Sequence, residues 1–201
     1  MKILSGTWIN EQLKVQLLKR GEQFGPFADL NELRHHLTGL SFIPSGDWTD
    51  FGRGSQAVRR LMIGAVLTAG DFGETLPRET GILGWNGDGC TVENRDFWQD
   101  YVLNRREAGR GGLFVATLPT IPFCEAAIIL GCHGPAAYFR TENSTRMLFR
   151  VLAGRPEGKY LIGEIREKSV CMFLMEVDSM LPDFPDFPSL EELFVHLERR
   201  G

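Results

Sequence analysis

Four consecutive polar residues, Thr141, Glu142, Asn143 and Ser144, stand where a predicted strand passes into a predicted helix. The amino end of a helix carries unpaired backbone N–H groups and the positive end of the helix dipole, so a thiol placed there has a lowered pKa and becomes a nucleophile. Asn143 has no ionisable group. It can bind a thioester carbonyl or a carboxylate by hydrogen bonding, but it cannot carry an acyl group covalently.

The other residues of this junction leave several interpretations open. The hydroxyl of Ser144 would need a general base within hydrogen-bond reach, and the neighbouring sequence supplies none. A carboxylate at Glu142 suits the amino end of a helix but would repel an anionic substrate. Thr141 is predicted to be a strand residue. Asn143 is also one of the preferred N-cap residues, so a purely structural role stays open for it.

Residues 134–144, Gly-Pro-Ala-Ala-Tyr-Phe-Arg-Thr-Glu-Asn-Ser, resemble the signature of the β-ketoacyl synthases, members of the thiolase-like superfamily. In that family Gly-Pro opens a strand that ends in Thr-Ala-Cys-Ser-Ser. The last five positions here are residues 141–145, so Asn143 stands where the family has its nucleophilic cysteine. The chain is therefore similar to chain-length-factor-like members of the family that lack this cysteine.

The resemblance extends over residues 45–167 through a series of segments in the family's order. They are a helix from Ser55 to Gly70 with helical apolar spacing, a strand Gly81–Trp85, a helix Asn94–Leu103, a strand Phe114–Pro119 followed by an apolar helix, the buried helix Met147–Ala153 and a strand Tyr160–Glu164. The implied fold is α/β: a three-layer αβα half of the thiolase-like fold, with a mixed central sheet and helices on both faces. We expect one domain, residues 1–201.

Residues outside this match carry clear local signals. Residues 1–10 predict a first strand, and residues 21–26 a turn. The spacing Asp29-x-x-Glu32 predicts a capping box that begins a helix, and Ser189-x-x-Glu192 predicts a second, followed by an amphipathic helix over residues 189–200. Two β-rich runs, residues 159–166 and 169–177, predict a hairpin. We expect the last helix to pack either on the surface left bare by the absent half of the fold or on the edge of its own sheet.

The family's catalytic histidines and lysine lie in a second half of the fold, and none of the four histidines of this chain occupies a family motif. The resemblance therefore implies a non-catalytic protein that partners or modulates a condensing enzyme in polyketide or fatty-acid-type biosynthesis. Two alternatives remain. One is a decarboxylase or acyltransferase that binds an acyl thioester, with Asn143 orienting a malonyl-like group. The other is an interaction protein that reuses the half-fold.

An isolated half of this fold would expose apolar surface, so we expect a partner. The resemblance implies a dimer that pairs through an edge strand near Phe114–Pro119. A homodimer is the main expectation, a heterodimer with a ketosynthase is its functional variant, and an acyl carrier protein is a further candidate partner. Trp85 and Phe114 are predicted to be core residues.

Composition excludes several functional classes. The 201 residues carry a net charge of −4, which offers no footprint for nucleic acid. No run approaches the roughly 18 apolar residues of a membrane span, and residues 1–6 do not resemble a signal peptide, so we expect a cytoplasmic protein. The four cysteines are scattered, which favours reduced thiols over disulfides or zinc. No metal or other cofactor is expected.

Overall fold

A seven-stranded mixed sheet forms the centre of the protein, with strand order β3-β2-β1-β7-β6-β4-β5. The computed structural model describes residues 1–86, 90–104, 111–139, 145–178 and 185–200. Within them the strands are β1 (Lys2–Ile9), β2 (Val15–Leu17), β3 (Gln23–Phe24), β4 (Gly81–Asn86), β5 (Ala136–Tyr138), β6 (Gly158–Ile165) and β7 (Val170–Val177).

The described helices lie on both faces of this sheet. They are α1 (Leu30–Leu37), α2 (Gln56–Phe72), α3 (Thr91–Leu103), α4 (Gly111–Ala116), α5 (Ile121–Leu130), α6 (Thr145–Ala153) and α7 (Leu190–Glu198), with a short 3-10 turn at Phe51–Arg53. Helices α1, α2 and α5 enclose one hydrophobic core, and α6 and α7 cover a second core on the opposite face. The predicted three-layer α/β class is therefore confirmed.

The sheet contains both parallel and antiparallel strand pairs. Strand β4 runs parallel to β5 and β6, whereas β7 is antiparallel to both β6 and β1. Strands β6 and β7 form the predicted hairpin, closed by a hydrogen bond from the N–H of Arg166 to the carbonyl of Ser169 at 2.9 Å. Because parallel strands share one carboxyl edge, the segments that follow β4, β5 and β6 lie at the same end of the sheet.

Helix starts follow the capping signals in the sequence. The carboxylate of Asp29 accepts the N–H groups of Asn31 and Glu32 at 2.7 and 2.9 Å, and Ser189 Oγ accepts the N–H of Glu192 at 3.1 Å. Ser55 caps α2 in the same way. These contacts satisfy amide groups that have no partner inside the helix. Both predicted capping boxes thus mark true helix starts.

A buried carboxylate ties the long helix α2 to the start of the chain. Asp71 is buried, and it accepts backbone N–H groups from Gly6 and Lys19 at 3.0 Å and from Arg20 at 2.9 Å. These bonds fix the turn after β2, so that β3 forms at Gln23–Phe24 inside the segment predicted to be only a turn. Charge-assisted bonds of this kind are stronger than neutral ones. The carboxylate of Asp71 therefore joins helix α2 to strand β1 and to the turn after β2.

One predicted strand is wrong. Residues 111–116 form helix α4, and residues 117–120 form turns, where a strand Phe114–Pro119 was expected. Aromatic and β-branched residues favour strands locally, but here Phe114 packs against Phe97 of α3, with ring centroids 5.8 Å apart. A dimer contact through an edge strand at this position is excluded, and the free edges of the sheet are instead β3 and β5.

Candidate functional site at the amino end of helix α6

The strand and the helix that were predicted to flank the site are both present. Strand β5 ends at Tyr138 and helix α6 begins at Thr145. The four site residues predicted from the sequence, Thr141, Glu142, Asn143 and Ser144, fall between them and lie outside the described residues. The role of Asn143 as the nucleophile-equivalent residue therefore stays a prediction, whereas the first turn of α6 can be described in detail.

The amino end of α6 is held by a segment from the far end of the chain. Thr145 is fully buried, its N–H donates to the carbonyl of Phe187 at 2.9 Å, and its Oγ1 accepts the N–H of Phe187 at 2.9 Å. The carboxylate of Asp186 accepts the backbone N–H of Arg146 at 2.9 Å and the hydroxyl of Thr145 at 3.4 Å. A carboxylate of the chain itself thus accepts one of the free N–H groups at the amino end of this helix, where a negative charge is stabilised.

A second buried carboxylate lies at the carboxyl end of β6. Glu164 is 2% exposed, and it is the register partner of Trp85 on β4. One oxygen of Glu164 accepts from the guanidinium of Arg166 at 2.9 Å, and the other accepts the N–H of Leu190 at 2.7 Å. Both oxygens are engaged, so Glu164 anchors the start of α7 and is not placed as a general base.

Trp85 was predicted to be a core residue, and it is 1% exposed. Its indole Nε1 is buried without a hydrogen-bond partner among the described residues. Buried indole N–H groups normally have one. The sequence gives no signal for this feature, because it depends on what the fold brings to the carboxyl end of β4.

The four cysteine thiols are poorly suited to act as nucleophiles. Burial raises the pKa of Cys90 and Cys132 to about 11 each, with a smaller contribution from Glu93 at Cys90. Burial also raises the pKa of Cys124 and, more strongly, of Cys171. All four are free thiols. Since the thiolate is the reactive form, these side chains stay protonated and weakly nucleophilic at neutral pH.

Cys90 is the one cysteine that sequence reasoning should have singled out. It is the N-cap residue of α3 and has a φ of +56°, a backbone conformation that is rare for residues other than glycine. It lines a small cavity of about 240 Å³ with Gln56, Arg60 and the turn of the β6–β7 hairpin. Its raised pKa argues against catalysis there.

A larger cavity, of about 740 Å³, lies at the other end of the sheet. It is lined by Thr80, His133, Lys159 and Glu176, near the amino ends of β4 and β6. The junction before α6 lies at the carboxyl ends of the same parallel strands, so this cavity is separate from the predicted acyl site. Its side chains mix acids and bases and show no arrangement for a particular reaction.

Helices α3 and α4 present an apolar face to solvent. Neither helix has a buried residue, and Phe97 stacks on Tyr101 with ring centroids 5.9 Å apart. Six large apolar side chains on these helices and the following turn are between 41% and 80% exposed: Trp98, Val102, Leu103, Phe114, Val115 and Leu118. The prediction that Phe114 is a core residue is therefore wrong. We call this set of six side chains the α3–α4 face.

None of the helices in the described parts of the chain is long and apolar enough to cross a membrane. Helix α5 is the most uniformly apolar, and it has only 10 residues. A helix needs about 20 residues to span a bilayer.

Comparison with known proteins identifies structural but not sequence relatives. No protein-family model and no curated protein matches the chain. A solved complex of the ketosynthase ApeO with its chain length factor ApeC, from Xenorhabdus doucetiae, contains a chain that matches with a TM-score of 0.54 and 14% identity, over 74% of this chain and 72% of that one. The nearly equal shares mean that the two chains are of similar length.

A second solved structure, the ishigamide ketosynthase/chain length factor, matches with a TM-score of 0.55 and 12% identity. That match covers 91% of this chain and 63% of the other, so this chain spans less than two thirds of the length of that relative. Both matches cover most of this chain. Because the sequence identities are low, they show a similarity of fold and nothing more. The chain has a ketosynthase-like, chain-length-factor-like fold, the half-fold predicted from its sequence.

Proposed function

We propose that this protein is a non-catalytic β-ketoacyl synthase-like subunit that pairs with a condensing enzyme in polyketide or fatty-acid-type biosynthesis. The observation that carries the proposal is the α3–α4 face, an apolar surface on a chain whose structural relatives are ketosynthase/chain-length-factor proteins. Monomeric proteins seldom expose contiguous apolar patches larger than several hundred Å². Trp98 and Phe114 are of the residue types that dominate interface energies.

The chemistry of the site supports a role without catalysis. Asn143 stands in place of the cysteine, and the pKa values of the four cysteines are all raised by burial. No group of three or more metal-ligating side chains converges in the parts of the chain that the structure describes. Glu164, the buried carboxylate at the carboxyl end of β6, is engaged on both oxygens and is not free to act as a general base.

We propose that the partner also contacts the edge strand β5. Ile128 lies on α5, which contacts β5, and it is 55% exposed. Unpaired backbone groups of an edge strand are a template for a strand of another chain. We place the subunit contact here, which replaces the strand at Phe114–Pro119 that the sequence predicted.

Of the two dimers expected from the sequence, we favour the heterodimer with a ketosynthase. One matched structure is a complex between a ketosynthase and a separate chain length factor, and its matched chain is close to this one in length. A ketosynthase partner would supply the nucleophile that Asn143 cannot. An acyl carrier protein remains a further candidate partner, since it would deliver the substrate to such a pair.

A thioester-binding decarboxylase is less well supported. The carboxylate of Asp186 already accepts the N–H of Arg146, so a malonyl-like anion at the start of α6 would meet a negative charge of the chain itself. This contact gives the enzyme hypothesis a direct obstacle. It has no effect on the subunit hypothesis.

The isolated chain is expected to cover its apolar face by self-association. Light scattering coupled to size-exclusion chromatography at micromolar concentration should give a mass of about 45 kDa or more, twice the 22.6 kDa of one chain. Added ketosynthase partner should convert this species into a mixed dimer. A strict monomer of the isolated chain would count against an interface on the α3–α4 face.

A further inference from the structure

The cavity of about 740 Å³ at the amino ends of β4 and β6 has the size of a small-molecule site, and we call it the amino-end cavity. Its lining includes five apolar or aromatic residues: Pro77, Pro135, Pro156, Tyr160 and Val177. Tyr160 and Val177 are buried, and the hydroxyl of Tyr160 donates to the carbonyl of Pro156 at 2.9 Å. A wall of this kind suits the hydrocarbon part of a ligand.

One buried polar side chain in the lining of the amino-end cavity has no hydrogen-bond partner. Thr80 is 1% exposed, and its hydroxyl makes no hydrogen bond among the described residues. Its backbone N–H, by contrast, donates to the carbonyl of Pro77 at 3.0 Å. Buried polar side chains are almost always hydrogen-bonded, because an unpaired one keeps the full cost of its removal from water. The hydroxyl of Thr80 is therefore a bonding position that a ligand can fill.

The loop that carries Thr80 is held by a close contact with the loop before β5. A Cβ atom on Gly134 would lie 2.2 Å from the carbonyl oxygen of Glu79 and 2.5 Å from that of Thr80, so the two backbones touch there. The N–H of His133 donates to the carbonyl of Arg78 at 2.6 Å, which adds a hydrogen bond between the same loops. Thr80 is thus positioned by the protein before any ligand binds.

Four of the charges at the amino-end cavity neutralise one another. The ammonium group of Lys159 lies 3.4 Å from the carboxylate of Glu176, and the terminal amino group of Met1 lies 2.6 Å from the carboxylate of Asp178. Lys159, Glu176 and Asp178 line the cavity. The net charge of the lining is therefore set by its other ionisable side chains.

Those other side chains make the lining acidic. Glu79 and Glu157 line the cavity, and neither forms an ion pair within the described parts of the chain. The guanidinium of Arg78 lies 3.2 Å from Nε2 of His133. Because an arginine only donates, this nitrogen accepts, and the imidazole adds no positive charge in this contact. Two carboxylates without a partner thus remain beside the free hydroxyl of Thr80.

We propose that the amino-end cavity binds a small primary amine with an apolar body. The ammonium group donates to the hydroxyl of Thr80 and is attracted by the carboxylates of Glu79 and Glu157, while the hydrocarbon part packs on the apolar wall. An ammonium group has three donors and no acceptor, which matches a site whose unpaired groups can all accept. An anion of the same size would meet negative charge. The site is independent of the subunit interface and of the junction before α6.

Hexylammonium and hexanoate have the same length and opposite charge, so they are suitable probes of this site. In NMR titrations, hexylammonium at millimolar concentration should shift the amide resonances of Thr80, Gly134 and Tyr160 saturably. Hexanoate should bind at least about tenfold more weakly, because its charge has the wrong sign. Amides of helix α1, which does not line the cavity, serve as the internal reference and should not change.

Thr80→Val separates binding from stability, since valine keeps the shape of threonine and lacks the hydroxyl. That hydroxyl has no partner in the free protein, so the melting temperature should stay the same or rise, whereas the affinity for hexylammonium should fall at least about tenfold. The double variant Glu79→Gln with Glu157→Gln should lose a similar factor. Glu74→Gln, which removes an exposed carboxylate outside the cavity, should bind like the wild type.

The proposal is overturned if the wild-type protein shows no saturable shift with hexylammonium or binds hexanoate equally well. Wild-type affinity in a folded Thr80→Val protein, or in the double variant, would also overturn it. If Thr80→Val does not fold, the hydroxyl has a structural role that the proposal denies, and the proposal fails on that ground. The titrations involve no second protein, so their outcome leaves the proposed subunit function unaffected.

Discussion

Replacement of Gly84 by alanine is expected to abolish folding of the central sheet. A Cβ atom on Gly84 would lie 1.9 Å from the carbonyl oxygen of Gly163 on the neighbouring strand and 2.6 Å from the ring of Phe123. The first contact is with backbone, which cannot move without separating β4 from β6. We expect a loss of at least about 5 kcal/mol, comparable to the whole stability of a small domain.

Gly163 provides the matched control. It is the register partner of Gly84, but a Cβ there would meet only the ends of flexible side chains, Leu61 at 3.0 Å and Met172 at 3.4 Å. Gly163→Ala should therefore fold and lose about 1 to 3 kcal/mol, the usual cost of overpacking. Urea unfolding followed by circular dichroism measures both. A stable Gly84→Ala protein would show that β4 and β6 are not paired as described.

The largest functional effect is expected from charges on the α3–α4 face. The double variant Trp98→Asp with Phe114→Asp should weaken subunit association at least 1,000-fold, about 4 kcal/mol, because buried aromatic residues are the usual hot spots of interfaces. These side chains are 58% and 53% exposed and lie outside both hydrophobic cores, so the central sheet should stay folded even though the contact of Phe114 with Phe97 is lost; circular dichroism checks this. Light scattering over a concentration series gives the association constant.

Gln12→Asp is the control for added charge, since Gln12 lies exposed on the turn between β1 and β2, outside the proposed interface. It should associate like the wild type. If the double variant associates equally well and remains folded, the partner surface lies elsewhere. If both variants dissociate, the effect arises from net charge rather than from the face.

Sequence signals predicted the elements whose cause is local. The capping residues Asp29 and Ser189 marked the starts of α1 and α7, and the apolar spacing after Ser55 marked α2, because those contacts lie within one helical turn. The β6–β7 hairpin followed from two β-rich runs, residues 159–166 and 169–177, separated by two residues. The resemblance to a known family then supplied the order of the remaining strands and the fold class, which local signals alone do not give.

The failures have a common cause in contacts between distant residues. Residues 114–119 were assigned to a strand by analogy, but the aromatic pair Phe97 and Phe114 holds them in a helical hairpin. The short strands β2 and β3 depend on the carboxylate of Asp71, which lies some 50 residues away. Asp186 reaches α6 from 40 positions further along the chain, so no motif at residues 134–144 could have indicated it.

Affinity purification of the tagged chain from its own cells, with mass spectrometry of the captured proteins, tests the proposed function most directly. The account predicts a ketosynthase in about equimolar amount, lost from the double variant at Trp98 and Phe114 and retained by Gln12→Asp. Recovery of the wild-type chain alone, or of a ketosynthase in equal amount with the double variant, would contradict it.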